Sequence, residues 1–317
     1  MSCLICGSLA FDSIANFEGR FAEHILPDKI HVLNVAFLVP SLRRDFGGCA
    51  GNIAYTVKAL GGEPVVLAAL GADGGDYEQR LDALGISRDH VRVVPGSHTA
   101  QAHIITDLDN NQITSFHPGA MQFAHTQPAP SLPQLRLGII APDGRQGMIE
   151  HAQQMAAAGV PFVFDPGQGL PMFGRPELRR FVELASWVVV NDYEAAMLSE
   201  RCEWSLEHIA SQVRGLVVTR GAHGCDVYEN GASTRVAARP AQQVVDPTGC
   251  GDAFRGALLW ALEAEWPLLD ACRLGNVLGA RKVACSGPQN HLVTLEQALE
   301  DFHAAYGAAP AKTQRAA

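Results

Sequence analysis

Asp246-Pro247-Thr248-Gly249-Cys250-Gly251-Asp252 runs straight into Ala253-Phe254-Arg255-Gly256-Ala257-Leu258-Leu259-Trp260-Ala261-Leu262. The second stretch is apolar at 254, 257, 258, 261 and 262, the spacing of one buried helix face. Two glycines and an aspartate therefore sit at a helix N-terminus. Glycine lets a backbone approach a ligand closely. Free N–H groups and the helix dipole at that point attract an anion, most simply a phosphate. A carboxylate beside bound phosphate is placed to take a proton from an attacking hydroxyl. Standing alone, a Gly-x-Gly-Asp is an ordinary capped turn, so the rest of the chain has to decide.

Upstream of this run, apolar strand-like segments alternate with helical ones. Val65–Leu70 ends at Gly71 and is followed by a helix around Tyr77–Leu84. Leu137–Pro142 precedes a helix from about Gln146 to Ala158. Pro161–Phe164, Trp187–Val190 and Leu216–Val218 repeat the pattern. Continuous apolar strands alternating with helices predict an α/β fold, with a mainly parallel sheet covered on both faces. Asp143, Asp165, Asn191 and Thr219 follow these strands, at the carboxyl edge where such sheets bind ligands.

Two stretches break the rhythm. His103–Asp107 and Gln112–Phe116 flank Leu108-Asp109-Asn110-Asn111, a hairpin signal, and Asn230-Gly231 signals another. We expect residues 12–46 and 96–120 to form a small antiparallel β lid. Residues 1–11, 47–95 and 121–307 then form the large domain, and 308–317 an unstructured tail.

The chain has 317 residues and a net charge of −9, with no basic tract, which argues against nucleic acid as a partner. No apolar run reaches membrane-spanning length. Met1–Gly7 lacks a signal-peptide pattern, so a cytoplasmic protein is expected. Eight cysteines are scattered. Cys3 and Cys6 form the one C-x-x-C and would face opposite sides of a strand, so free thiols are expected rather than zinc or redox chemistry.

A second glycine pair, Gly47-Gly48-Cys49-Ala50-Gly51-Asn52, leads into a helix ending at Gly61-Gly62. It lets a substrate lie against backbone, and Asn52 offers a donor and an acceptor to sugar hydroxyls. Taken with the Asp252 run, it resembles the paired signatures of the ribokinase (PfkB) family of carbohydrate and nucleoside kinases. That resemblance implies a ribokinase-like fold and spans nearly the whole chain. It makes Asp252 the general base, and Gly249, Cys250 and Gly251 an anion hole. Gly7–Asp12 is similar to the family's opening strand, whose aspartate, here Asp12, binds two sugar hydroxyls beside Gly47, Gly48 and Asn52. Gly71-Ala72-Asp73-Gly74-Gly75 resembles a further family loop. Asn191-Asp192-Tyr193-Glu194 resembles its Asn-x-x-Glu motif, with Glu194 placing Mg²⁺ through water; alone it is a capping box. Thr219-Arg220-Gly221 and Asn276 resemble the ATP-contacting segments. The second signature departs from the commoner Asp-Thr-x-Gly-Ala-Gly-Asp in having Pro247, which lies ahead of the anion-hole amides. K⁺ is implied near Asp246, Thr248 and 284–289. Arg220 and Lys282 lie near the expected phosphate path, Lys282 reading more as a solvated surface charge.

The lid separates subgroups. Phe37–Gly48, Thr99–His103 and Asn111–Met121 look like bacterial and archaeal nucleoside kinases. Phe116, Met121 and Phe37 are candidates for a base-binding surface, against simple lid packing, and Gln101 for ribose or base. The resemblance thus implies phosphorylation of a purine nucleoside at its 5′-hydroxyl by ATP, with a homodimer through the lid. The alternatives are a ribokinase- or fructokinase-type sugar kinase, and a catalytically silent sensor of nucleotides or nucleosides.

Overall fold

The computed structural model describes residues 2–25, 31–32, 34–109 and 111–310. Residues 26–30 and 33 of the expected lid, Asn110 of its hairpin and 311–317 of the expected tail lie outside the described residues. The strands are β1 (Ser2–Cys6), β2 (Ala10–Asn16), β3 (Ser41–Gly47), β4 (Glu63–Gly71), β5 (Val91–Val94), β6 (Ala100–Thr106) and β7 (Gln112–His117). After them come β8 (Leu135–Ile140), β9 (Phe162–Phe164), β10 (Trp187–Asn191), β11 (Gly215–Thr219), β12 (Cys225–Glu229) and β13 (Ala232–Val236). The helices are α1 (Phe21–His24), α2 (Cys49–Ala59), α3 (Gly75–Leu84), α4 (Arg145–Ala157) and α5 (Arg175–Leu184). They continue with α6 (Asp192–Cys202), α7 (Leu206–Gln212), α8 (Cys250–Glu263), α9 (Leu268–Val283) and α10 (Leu295–Tyr306).

The larger sheet runs β13-β12-β11-β10-β9-β8-β1-β4-β5 among the described residues. It is parallel from β11 to β5, and the β12–β13 hairpin extends it antiparallel. Its central strands β1, β4, β9, β10 and β11 are apolar on both faces because both faces are covered. Cys3 and Ile5 of β1 join a core with α2, α3, α8, α9 and α10, while Leu4 and Cys6 join the opposite core with α4 to α7. Cys3 and Cys6 thus face opposite sides, as their spacing requires. No described helix is long and apolar enough to cross a membrane.

A smaller sheet, β3-β2-β6-β7, stands apart from the larger one. The expected hairpin is its β6–β7 pair, with Gln101 opposite His117. The expectation of an antiparallel sheet needs correction at its centre, where β2 and β6 pair parallel, Ala10 opposite Ala100. Both strands continue from parallel strands of the main sheet, β1 and β5, and leave its carboxyl edge in the same direction. Phe17, Phe21 and Phe37 pack together, with ring centroids 4.9 to 6.0 Å apart. Phe37 is therefore engaged in lid packing.

Candidate active site

The segment 246–252 meets the carboxyl edge of the main sheet at the N-terminus of α8. Gly249 is the N-cap, at φ 80° and ψ 3°. Those angles are the third position of a type II turn, which favours glycine. A Cβ there would also fall 2.6 Å from Cβ of Pro288. The turn closes where the Cys250 N–H donates to Pro247 O at 3.1 Å. Pro247 supplies only its carbonyl, so its missing N–H is harmless. The Cys250 N–H, expected in the anion hole, is instead taken up by the turn. The N–H groups of Gly249 and Gly251 have no acceptor among the described residues and stay available at the positive end of the helix.

Asp252 lies in the first turn of α8. Its Oδ2 accepts from Asn52 Nδ2 at 2.8 Å. Burial raises its proton affinity above the ordinary carboxylate range, opposed by the Asn52 bond and the Arg255 charge. Asn52 is spoken for on both sides, since its Oδ1 accepts from Gln289 Nε2 at 3.1 Å. Gln289 also donates to Tyr77 Oη at 2.9 Å, and Tyr77 donates to Gly47 O at 2.6 Å. A buried polar chain thus joins α8, α2, α3 and the end of β3.

Arg255 was not singled out from the sequence. It is buried in α8 and pairs with Asp165 at 2.8 Å, with Glu194 3.8 Å away. It also donates to Gly251 O at 3.2 Å. The signal was present: nearly every position from 253 to 263 of this helix is buried, and a lone arginine in such a helix must be paired.

Asp12 lies on β2 opposite Asp45 of β3. Gly47 allows the carboxylate to rest on the backbone, since a Cβ there would be 2.2 Å from Asp12 Oδ2. Gly48 is the N-cap of α2. Burial, then the charges of Asp45, Asp252 and Asp246, push Asp12 up to about 7. The folded value lies above the unfolded 3.8, so between them the folded state holds a proton that the unfolded chain has lost. Stability therefore falls as pH rises through this window. Asp12→Asn is expected to raise the melting temperature at pH 8, by about 2–4 °C per kcal/mol relieved. The gain should vanish near pH 4, which thermal melts across pH will check.

Gln101 on β6 donates to Asp73 Oδ2 at 3.2 Å, and Asp73 Oδ1 accepts the Thr99 N–H at 2.7 Å. Asp73 thereby fixes the start of β6. Phe116 on β7 is half exposed, and Met121 is buried.

Asn191, Glu194, Thr219, Arg220 and Gly221 gather where β10 and β11 end. Asn191 caps α6: Glu194 N–H donates to its Oδ1 at 2.7 Å, and Glu194 accepts from Asn191 N and Nδ2, both at 2.8 Å. Burial, then Asp165, raises the proton affinity of Glu194, with Arg255 opposing. Thr219 Oγ1 donates to Val190 O at 3.4 Å, and Gly221 opens a short 3₁₀ turn. Arg220 is drawn into an ion pair with Asp226, which Arg235 shares. Asn276 on α9 donates to Ala237 O at 3.3 Å.

Lys282 corrects the sequence reading outright. It is fully buried, and its Nζ donates to Asp246 O at 2.7 Å and Cys285 O at 3.0 Å. The Asp246 carboxylate accepts from Thr248 N and Gly287 N, at 2.9 and 2.8 Å, and pairs with Arg43. Despite burial these N–H groups, with Lys282, hold it below the ordinary range. Two protein cations, Lys282 and Arg43, thus bind within the segment expected to take K⁺.

Comparison with known proteins gives a consistent picture. The profile of the pfkB family carbohydrate kinases matches residues 19–295. The structure of Burkholderia thailandensis nucleoside kinase in complex with inosine is 49% identical, with a TM-score of 0.89, covering 98% of this chain and 99% of that one. The same enzyme in complex with ADP-inosine is 50% identical, with a TM-score of 0.87, covering 98% and 97%. The nucleoside kinase of Methanocaldococcus jannaschii is 29% identical over 93% of this chain and 94% of its own.

Proposed function

The chain belongs to the pfkB family of carbohydrate kinases, and from that premise we propose that it transfers the terminal phosphoryl group of ATP to the 5′-hydroxyl of a purine nucleoside. The observation that carries this reading is Asp252: a half-buried carboxylate of raised proton affinity, beside two uncommitted N–H groups at a helix N-terminus. The likeness to nucleoside kinases over almost the full chain supports the acceptor class.

In this reading Asp252 takes the proton of the 5′-hydroxyl as it attacks, and Asn52 holds the carboxylate in place. The N–H groups of Gly249 and Gly251 meet the charge on the transferring phosphoryl group. Asp12, ionised, accepts from the ribose hydroxyls in charge-assisted bonds. The acid limb of kcat/KM accordingly falls near pH 7. Phe116 and Met121 offer apolar surface to the base, and Gln101, held by Asp73, a polar contact. Thr219, Gly221 and Asn276 border the nucleotide, and Arg220 lies at its phosphates.

Glu194 fits indirect metal binding. Both of its oxygens already accept from Asn191, which leaves lone pairs for metal-bound water and little room for direct ligation. Mg²⁺ held there would neutralise phosphate charge. Leu42 on β3 and Ile113 on β7, exposed apolar side chains in register across the small sheet on the face opposite Asp12 and Phe116, suit pairing with a second copy.

The test is ADP release with Mg-ATP and inosine, adenosine, guanosine, cytidine, ribose or fructose. Turnover is expected with the purine nucleosides. Turnover with free sugars alone would overturn the acceptor class. Binding of nucleotide with no turnover on any acceptor would favour a sensor.

A further inference from the structure

We propose that the Lys282 ammonium is a built-in monovalent cation: it joins the loop that opens α8 to the segment after α9 and makes turnover independent of any added alkali ion. The link to turnover rests on the kinase reading above; the cation seat itself does not.

Lys282 leaves the last turn of α9 and is wholly shielded from solvent. A buried ammonium is costly unless it is paired and hydrogen-bonded. Here two main-chain carbonyls converge on it, one from Cys285 close in sequence and one from distant Asp246. Carbonyl oxygens aimed at one point are the ligands a hard cation takes. The ammonium, with three donors and no acceptor, fills that seat permanently.

The two carbonyls begin the two segments that shape the site. From Asp246 the chain enters the 247–250 turn that presents the Gly249 and Gly251 N–H groups. From Cys285 it reaches Pro288, packed on Gly249, and Gln289, which holds Asn52 against Asp252. Further bonds close the same junction: Val245 and Asp246 N–H both donate to Val283 O, and Gly287 N–H donates to the Asp246 carboxylate. Arg43 adds a charge from β3, touching Asp246 and Ser286 Oγ. Arg43 is exposed and reaches the rim, whereas Lys282 occupies the interior. Lys282 is thus a positioning residue whose loss would let the α8 loop and Asn52 drift together.

The test uses the intact chain. Wild-type rates with sodium, potassium, caesium or tetramethylammonium as the sole monovalent cation, at fixed ionic strength, are expected to coincide. Clear stimulation by potassium would overturn the proposal. Lys282→Ala empties the seat, and Lys282→Met fills it with an uncharged chain of similar length. Both are expected to lose about 10²-fold in kcat, the scale of a small misplacement of reacting groups, with nucleoside KM little changed. Potassium or methylammonium should restore the Ala variant saturably, and should raise its melting temperature without substrate. Neither cation should act on the Met variant. A folded Ala variant that neither cation rescues in rate or in melting would overturn the proposal. If the Ala variant does not fold, the Met variant decides, and a wild-type kcat in it would overturn the proposal. Absence of turnover in the wild type would count against the kinase reading alone, and the melting shift would still decide the cation seat.

Discussion

Asp252→Asn is expected to lower kcat by about 10²–10⁴-fold, the span of general acid–base catalysis, with nucleoside affinity nearly unchanged. The carboxylate is half-buried at the start of α8, and its desolvation raises its proton affinity. That cost makes it a better base than an exposed aspartate, because it gains more by accepting the hydroxyl proton. Asparagine keeps the shape, and its Oδ1 can still accept from Asn52 Nδ2. It cannot take a proton. Since the substitution removes a partly desolvated charge, the fold should not suffer, and the melting temperature should hold or rise. Loss of kcat with intact inosine binding by calorimetry and an intact melt would locate the defect in proton transfer. A variant that keeps most of its kcat would mean that positioning and charge neutralisation suffice, and that Asp252 serves mainly as a helix-capping anion.

What could be read from the sequence follows the range of the forces involved. The α8 N-terminus is contiguous in the chain, so glycines, a turn and an amphipathic helix reveal it together. Strand and helix alternation likewise reports burial that each residue meets locally. The β12–β13 hairpin is set by its own turn residues; Asn230 and Gly231 both adopt positive φ. The parallel pairing of β2 with β6 is not local. It depends on where β1 and β5 leave the main sheet, and no residue of either strand encodes that direction. Charges were misjudged for a related reason. Lys282 follows Arg281 at the end of a helix, where cations usually complement the dipole in water. Yet 271, 274, 275, 278 and 282 form one buried stripe of α9, and that spacing was readable. Arg255 is hidden in the same way, inside a helix whose other buried positions from 253 to 261 are all apolar or glycine. The carboxylates that pair with it come from strand ends far away in the chain.

Arg255→Met is the substitution expected to damage the fold most. It leaves Asp165, itself fully buried, and Glu194 without their shared cation. Breaking a buried pair by removing one partner costs about 3–5 kcal/mol, because the remaining charge is uncompensated. The sign of the pH dependence follows. Burial already raises Asp165, and Arg255 opposes that rise. Without the arginine, the folded proton affinity climbs further above the unfolded value. The variant's stability should then fall as pH rises through the interval between them, so its deficit in melting temperature is largest at pH 8 and shrinks towards pH 5. Adding Asp165→Asn should recover part of the loss at pH 8 and little at pH 5, a coupling that a double-mutant cycle reads directly. Activity should fall as well, because Arg255 also holds Gly251 O in the turn that presents the anion-binding N–H groups. Arg255→Lys keeps the charge but not the planar fork that spans Asp165 and Gly251. It should therefore recover stability better than it recovers kcat. A pH-independent deficit in Arg255→Met would show that the arginine acts by packing alone, and that Asp165 is already protonated in the folded protein.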